Sequence, residues 1–189
     1  ASPVSQIGQP YTVYDPKGRF SGDANKIKLL TTNKIDNATT ESNAVAASPR
    51  SAVFDPQNKE PGYYEYTVID EGRFEDSFDV SAVGIKLYTS RAYRVKQEGT
   101  LAIIVALPRQ ADAQQKLLSE NFQVTIEMET PGVLSFSNGQ NEVLWSLQKR
   151  EIANNKAQKE FRVRAGTPGT FIITARAKTP RCNNPSVTK

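Results

Sequence analysis

Apolar and polar positions alternate most regularly in the last third of the chain. Phe122, Val124, Ile126 and Met128 fall on one face of a strand, with Gln123, Thr125 and Glu127 on the other. Val143, Trp145 and Leu147 repeat the pattern around the single tryptophan. Phe161, Val163 and Ala165 do so again, followed by Phe171, Ile173 and Ala175. Trp145, Phe161, Val163, Phe171 and Ile173 are therefore the expected core. Thr167-Pro168-Gly169 predicts a hairpin between the last two runs, with Gly169 at positive φ and Glu160 opposite Arg176. Asn138-Gly139 predicts another hairpin, and Thr130-Pro131-Gly132 a turn.

Farther upstream, Tyr63 to Ile69 is β-branched and aromatic, and Val83 to Tyr88 alternates. Thr100 to Leu107 is nearly all apolar, which predicts a central strand covered on both faces. Ala111 to Ser119 is the one convincing helix, rich in good helix formers. Residues 1–60 are polar, broken only by short apolar runs such as Tyr11 to Tyr14 and Ile27 to Leu30. That pattern predicts a long, largely irregular arm, leaning on its own domain or on a neighbouring subunit. The expected organisation is this arm, an all-β antiparallel sandwich over 61–178, and a polar tail over 179–189.

Composition narrows the chemistry. The 189 residues carry a net charge of +4, mildly basic and spread along the sequence, so a nucleic-acid partner is not expected. There is no histidine, which removes the commonest general base and the commonest metal ligand. One cysteine, Cys182, excludes an internal disulfide and a cysteine-based zinc site, and leaves either an inert thiol or a link between chains. No apolar run is long enough for a membrane-spanning helix. The Ala1-Ser2-Pro3 start suits a mature secreted chain or a trimmed one. Asn37-Ala38-Thr39 matches a glycosylation acceptor, meaningful only in a eukaryotic secretory setting.

The VLWSLQ segment, a polar spacer, and then FRVRAGTPGTFIITARAKT resemble the end of bacterial immunoglobulin-like surface modules over about residues 122–178. The resemblance implies an immunoglobulin-like sandwich with an extracellular or periplasmic, structural or binding role, and carries over no site residues.

Three groups of side chains could carry chemistry. Asp70, Glu71, Glu75, Asp76 and Asp79 offer oxygens to calcium, or form a charged turn. Tyr64, Tyr66, Tyr93 and Arg94 could line a protein interface or a sugar-binding groove. Paired carboxylates could in principle cleave a glycoside, but strand-borne carboxylates usually face solvent. No catalytic residue, cofactor or metal is assigned. The expectation is a non-enzymatic, secreted subunit of a bacterial surface or envelope assembly, held by protein contacts. A carbohydrate-binding module is the alternative.

Overall fold

The computed structural model describes residues 4–178 and 186–188, so Cys182 lies outside the described residues. Among the described residues fifteen strands and one α-helix follow one another. The first seven strands are β1 (Val4–Gln6), β2 (Tyr11–Tyr14), β3 (Ile27–Asn33), β4 (Thr39–Ser48), β5 (Ser51–Phe54), β6 (Gly62–Asp70) and β7 (Phe74–Thr89). β8 (Glu98–Ala106) leads to helix α1 (Ala111–Ser119). After it come β9 (Gln123–Met128), β10 (Leu134–Phe136), β11 (Glu142–Ser146), β12 (Ile152–Ala153), β13 (Lys156–Ala165), β14 (Ile173–Lys178) and β15 (Ser186–Thr188).

The carboxy-terminal part is an antiparallel sandwich. One layer runs β7-β8-β13-β10 and the other β11-β9-β14-β15. This four-on-four arrangement is immunoglobulin-like. Leu101, Ile103, Val105 and Val163 from the first layer meet Val124, Ile126, Trp145 and Ile173 from the second, all at most 2% exposed. Phe161 and Phe171 are half-buried against this cluster. The Trp145 indole N–H donates to Glu151 Oε2 at 3.1 Å, so its polar edge is satisfied.

The first sixty residues are not an irregular arm. They supply five strands: β3, β4, β5 and β2 extend the large sheet as β7-β6-β3-β4-β5-β2, and β1 pairs with β7. Ile27, Leu29, Ala52 and Phe54 join Tyr66, Val68 and Val80 in a second hydrophobic cluster. The sheet rolls until β2, at its far end, meets β7: the Tyr11 ring lies 5.2 Å from Tyr66 and 6.3 Å from Phe78. A bulge between Ala44 and Ala46 in β4 aids this bending. The polar segment is thus ordered by pairing with its own β6 and β7.

Strand β7 serves both clusters. Residues 74–82 pair with β6 and residues 84–89 with β8. β1 runs parallel to β7 at Ser81–Val83 and joins the two cores. Val4 fills the sandwich core, Ser5 Oγ accepts from the Tyr66 hydroxyl, and Gln6 Oε1 accepts from Ala177 N.

Two expected hairpins are absent. β13 pairs with β8 and β10, whereas β14 pairs with β9, so residues 166–172 cross between layers. Both strands do point alternate residues at one core, but from opposite sides of it. Glu160 consequently sits opposite Ala102, and Arg176 lies 3.8 Å from Glu127. Gly169 has φ 158°, not the roughly +80° of a type II turn. Asn138-Gly139 makes a tight turn with Gly139 at φ 83°, yet it too links different layers. β8 departs from its expected double coverage: Leu101, Ile103 and Val105 are buried, while Ala102, Ile104 and Ala106 keep partial exposure.

Candidate interaction surface

Three connections converge at one end of the sandwich: 90–97 after β7, 129–133 after β9, and 166–172 after β13. Tyr93 anchors the first. Its hydroxyl donates to Thr100 O at 2.6 Å and accepts from Ser90 N at 3.2 Å. The ring leans on Phe171 at 5.5 Å and lies so close over Gly99 that a Cβ there would sit 2.5 Å from it. Gly99 is therefore required by close approach, not by backbone angle. Lys96 adopts φ 65° and donates its N–H to Ala165 O at 2.8 Å. Gly166 N donates to Val133 O, while Thr167 N and Oγ1 both donate to Gly132 O. A Cβ on Gly166 would come within 2.7 Å of that same Gly132 oxygen. Between the loops lies a cleft of about 130 Å³ lined by Tyr93, Val95, Pro168 and Phe171, too small for a sugar.

The loops are fixed, and they present charge. Arg91, Arg94 and Lys96 are exposed on the first, and Arg162 and Arg164 project from the adjoining end of β13. Glu98 and Glu129 are the carboxylates nearby. Glu98 lies 3.6 Å from Arg162, and Glu129 accepts from the Thr174 hydroxyl at 2.7 Å. Five cations against two carboxylates leave a local excess of three positive charges. The other nineteen cations lie elsewhere along the chain.

The opposite end of β7 is acidic. The β6–β7 hairpin turns at Glu71-Gly72-Arg73, with Gly72 at φ 74° and Arg73 N donating to Asp70 O. Glu71, Glu75 and Asp76 are exposed, against exposed Arg73 in the turn and Lys26 beside Glu71, a local excess of one carboxylate. The five carboxylates considered for calcium do not converge. Asp70 is buried and accepts from Ser21 N and Oγ. Asp79 accepts from Lys34 Nζ and from the Tyr63 hydroxyl, each at 3.0 Å. Burial alone would raise the Asp79 carboxyl, but those two hydrogen bonds outweigh it and hold it below the usual range. Burial, reinforced by Asp79, pushes the Tyr63 hydroxyl up. Among the described residues no group of three potential ligands could hold a metal ion.

Of the four residues proposed to meet a partner, Tyr93 and Arg94 lie in this loop end. Tyr64 and Tyr66 do not, being 5% and 0% exposed in the second hydrophobic cluster. Glu65 and Val68 carry the missed signal, because they assign Tyr64 and Tyr66 to the apolar face of β6. A wider concavity lies elsewhere, beside α1. It is a groove of about 770 Å³ lined by Gln114, Gln115, Asn121 and Gln148 together with Leu118 and Ile152.

No family model matches the chain, and no curated protein matches it in sequence. Solved structures with similarity in outline include the Dpr2 Ig1-Ig2 complex with DIP-Theta Ig1-Ig3, at 10% identity and TM-score 0.26 over 100% of this chain and 62% of that one. A glycosyl hydrolase family 2 member from Bacteroides cellulosilyticus matches at 15% identity and TM-score 0.28, over 96% of this chain and 24% of that one. Dpr11 IG1 bound to DIP-gamma IG+IG2 matches at 9% identity and TM-score 0.26, over 100% of this chain and 92% of that one. The chain thus spans less than two thirds of the first two. TM-scores this low carry no argument about function, and the sandwich assignment rests on the strand order above. No helix among the described residues is long and apolar enough to cross a membrane.

Proposed function

We propose that this chain is a non-enzymatic, secreted interaction subunit that joins copies of itself head to tail, as in a bacterial surface or envelope filament. One observation carries the reading: unlike charges stand at the two ends of one strand. β7 spans sixteen residues, at most about 50 Å of extended chain, with Glu71, Glu75 and Asp76 at its start and Arg91, Arg94 and Lys96 beyond its end. A basic end meeting an acidic end is a heterologous contact, and such contacts propagate unless they close into a ring. Loops held on a rigid sandwich are well placed for recognition.

Light scattering and electron microscopy test this at low and high salt. Assemblies should grow with protein concentration at low salt and disperse at 1 M, where screening shortens to about 3 Å. Arg94→Glu with Arg164→Glu should show no end-to-end growth at the same concentration. A wild-type protein that stays monomeric throughout refutes the reading.

A carbohydrate-binding role finds its support in the amide-lined groove beside α1, since amides pair with sugar hydroxyls. Calorimetric titration with neutral oligosaccharides should give heat that Gln115→Ala diminishes. Absence of heat at millimolar sugar removes this role.

A further inference from the structure

The outer face of the β7-β8-β13 layer has no cover among the described residues over part of its length. Register defines its rows. Lys86, Ile104 and Gln158 stand abreast, and Tyr88, Ala102 and Glu160 stand abreast in the next row. Beyond them Thr100 pairs with Arg162. At the other end Pro61 and Ile7 come within 4.0 Å of where a Gly84 Cβ would lie, so the unit built on the second hydrophobic cluster leans over the Gly84–Ala106 row and stops there. Below that row Tyr88 is 48% exposed, and Ala102 and Ile104 remain partly open to water. The central strand of a sheet thus shows solvent a short, smooth apolar ridge.

The flanks of this ridge carry opposite charge. Lys86 stands on β7 on one side, and Glu160 on β13 on the other. Neither is in an ion pair with a described residue. We propose that this face binds the same face of a second copy, turned over about an axis along β8. That operation lays β7 of each copy on β13 of the other. Each Lys86 then descends over the partner's Gln158, one row or about 7 Å from its Glu160, while the Ala102–Ile104 ridges meet in the middle. Sheets pack about 10 Å apart, a separation that lysine and glutamate side chains bridge together. The twofold makes the contact isologous, so every Lys86–Glu160 pairing forms twice. This surface is separate from the loop end and from the acidic hairpin, so the contact stands whether or not head-to-tail assembly occurs.

The test uses the full chain at high salt, where charge-driven end contacts are weakened, and again with the loop-end reversal Arg94→Glu/Arg164→Glu in place. Sedimentation equilibrium should give a monomer–dimer equilibrium in both. Lys86→Glu and Glu160→Lys should each weaken the dimer about tenfold at moderate salt, since each reversal makes two repulsive pairs. The double variant Lys86→Glu/Glu160→Lys should recover affinity to within about threefold, by restoring the pair in reverse. Circular dichroism checks that each variant is folded. If one single variant does not fold, Ala102→Arg, which sets a long cation on the ridge, should abolish the dimer instead. The proposal is overturned if the end-reversed protein is monomeric at every concentration, if its dimer ignores both single reversals, or if the double variant stays as weak as the singles.

Discussion

Tyr66 illustrates how a buried polar tip couples stability to pH. The ring is fully buried, and its hydroxyl donates to Ser5 Oγ at 3.0 Å. Burial pushes that hydroxyl well above the ordinary tyrosine range, because a phenolate has no water there. In the unfolded chain it ionises near about 10, whereas in the fold it keeps its proton. Its contribution is therefore complete below pH 10 and declines as pH rises from there toward the folded value. Tyr66→Phe should cost about 1 kcal/mol at pH 7 through the lost hydrogen bond. Between pH 10 and 11 the variant should lose stability less steeply than wild type, with some slope left by Tyr63 and Tyr64, whose hydroxyls are also raised. Urea unfolding at both pH values measures the difference, and equal slopes would place the titration elsewhere. The two faces of β6 were readable here. Tyr64, Tyr66 and Val68 share one parity and Glu65 the other, although a run of adjacent aromatics equally suits an exposed groove.

Elements differed in how plainly the chain announced them. Helix α1 and strands β6, β9 and β11 carry their own periodicity, so local pattern sufficed. β4 does not: most of its residues are exposed on both faces, and it is a strand because β3 and β5 flank it. Alternation also tells which residues face a core, but not which layer they belong to. That is why β13 and β14 looked like a hairpin. Apolar β8 is the better partner for β13, and the loop glycines hold the crossover by close backbone approach. β1 was the least visible element, three residues long, and it joins both cores. Removing residues 1–6 should expose the Val4 site, free the Tyr66 hydroxyl and unpair Ala177 N. Burial of one valine, about two side-chain hydrogen bonds and the backbone pairing with β7 together suggest a loss of about 5 kcal/mol. Chemical denaturation should show it in the unfolding midpoint. A truncated chain as stable as the full one would mean that β7 and β14 close without the strand.

Across the whole molecule, the basic end could be read only in part from the sequence. Arg91, Arg94 and Lys96 are adjacent in the chain, but Arg162 and Arg164 reach them only through the pairing of β13 with β8. The acidic hairpin is legible as a cluster that suits either a charged turn or a calcium site. Its position at the far end of β7 comes from the fold. Two unlike ends on one body allow a stricter test than loss of assembly. A copy with its basic end reversed, Arg94→Glu/Arg164→Glu, keeps only the acidic end. A copy with its acidic end reversed, Glu75→Lys/Asp76→Lys, keeps only the basic end. At low salt each alone presents like charge at both ends, so end-to-end growth should stop. Mixed, the intact acidic end of one copy meets the intact basic end of the other. The two reversed ends, now also opposite in sign, form a second complementary joint. The mixture should therefore regrow alternating chains, with light scattering greatest near equal amounts and falling as salt rises. Mixtures no larger than the sum of their parts would show that β7 does not join copies through its ends.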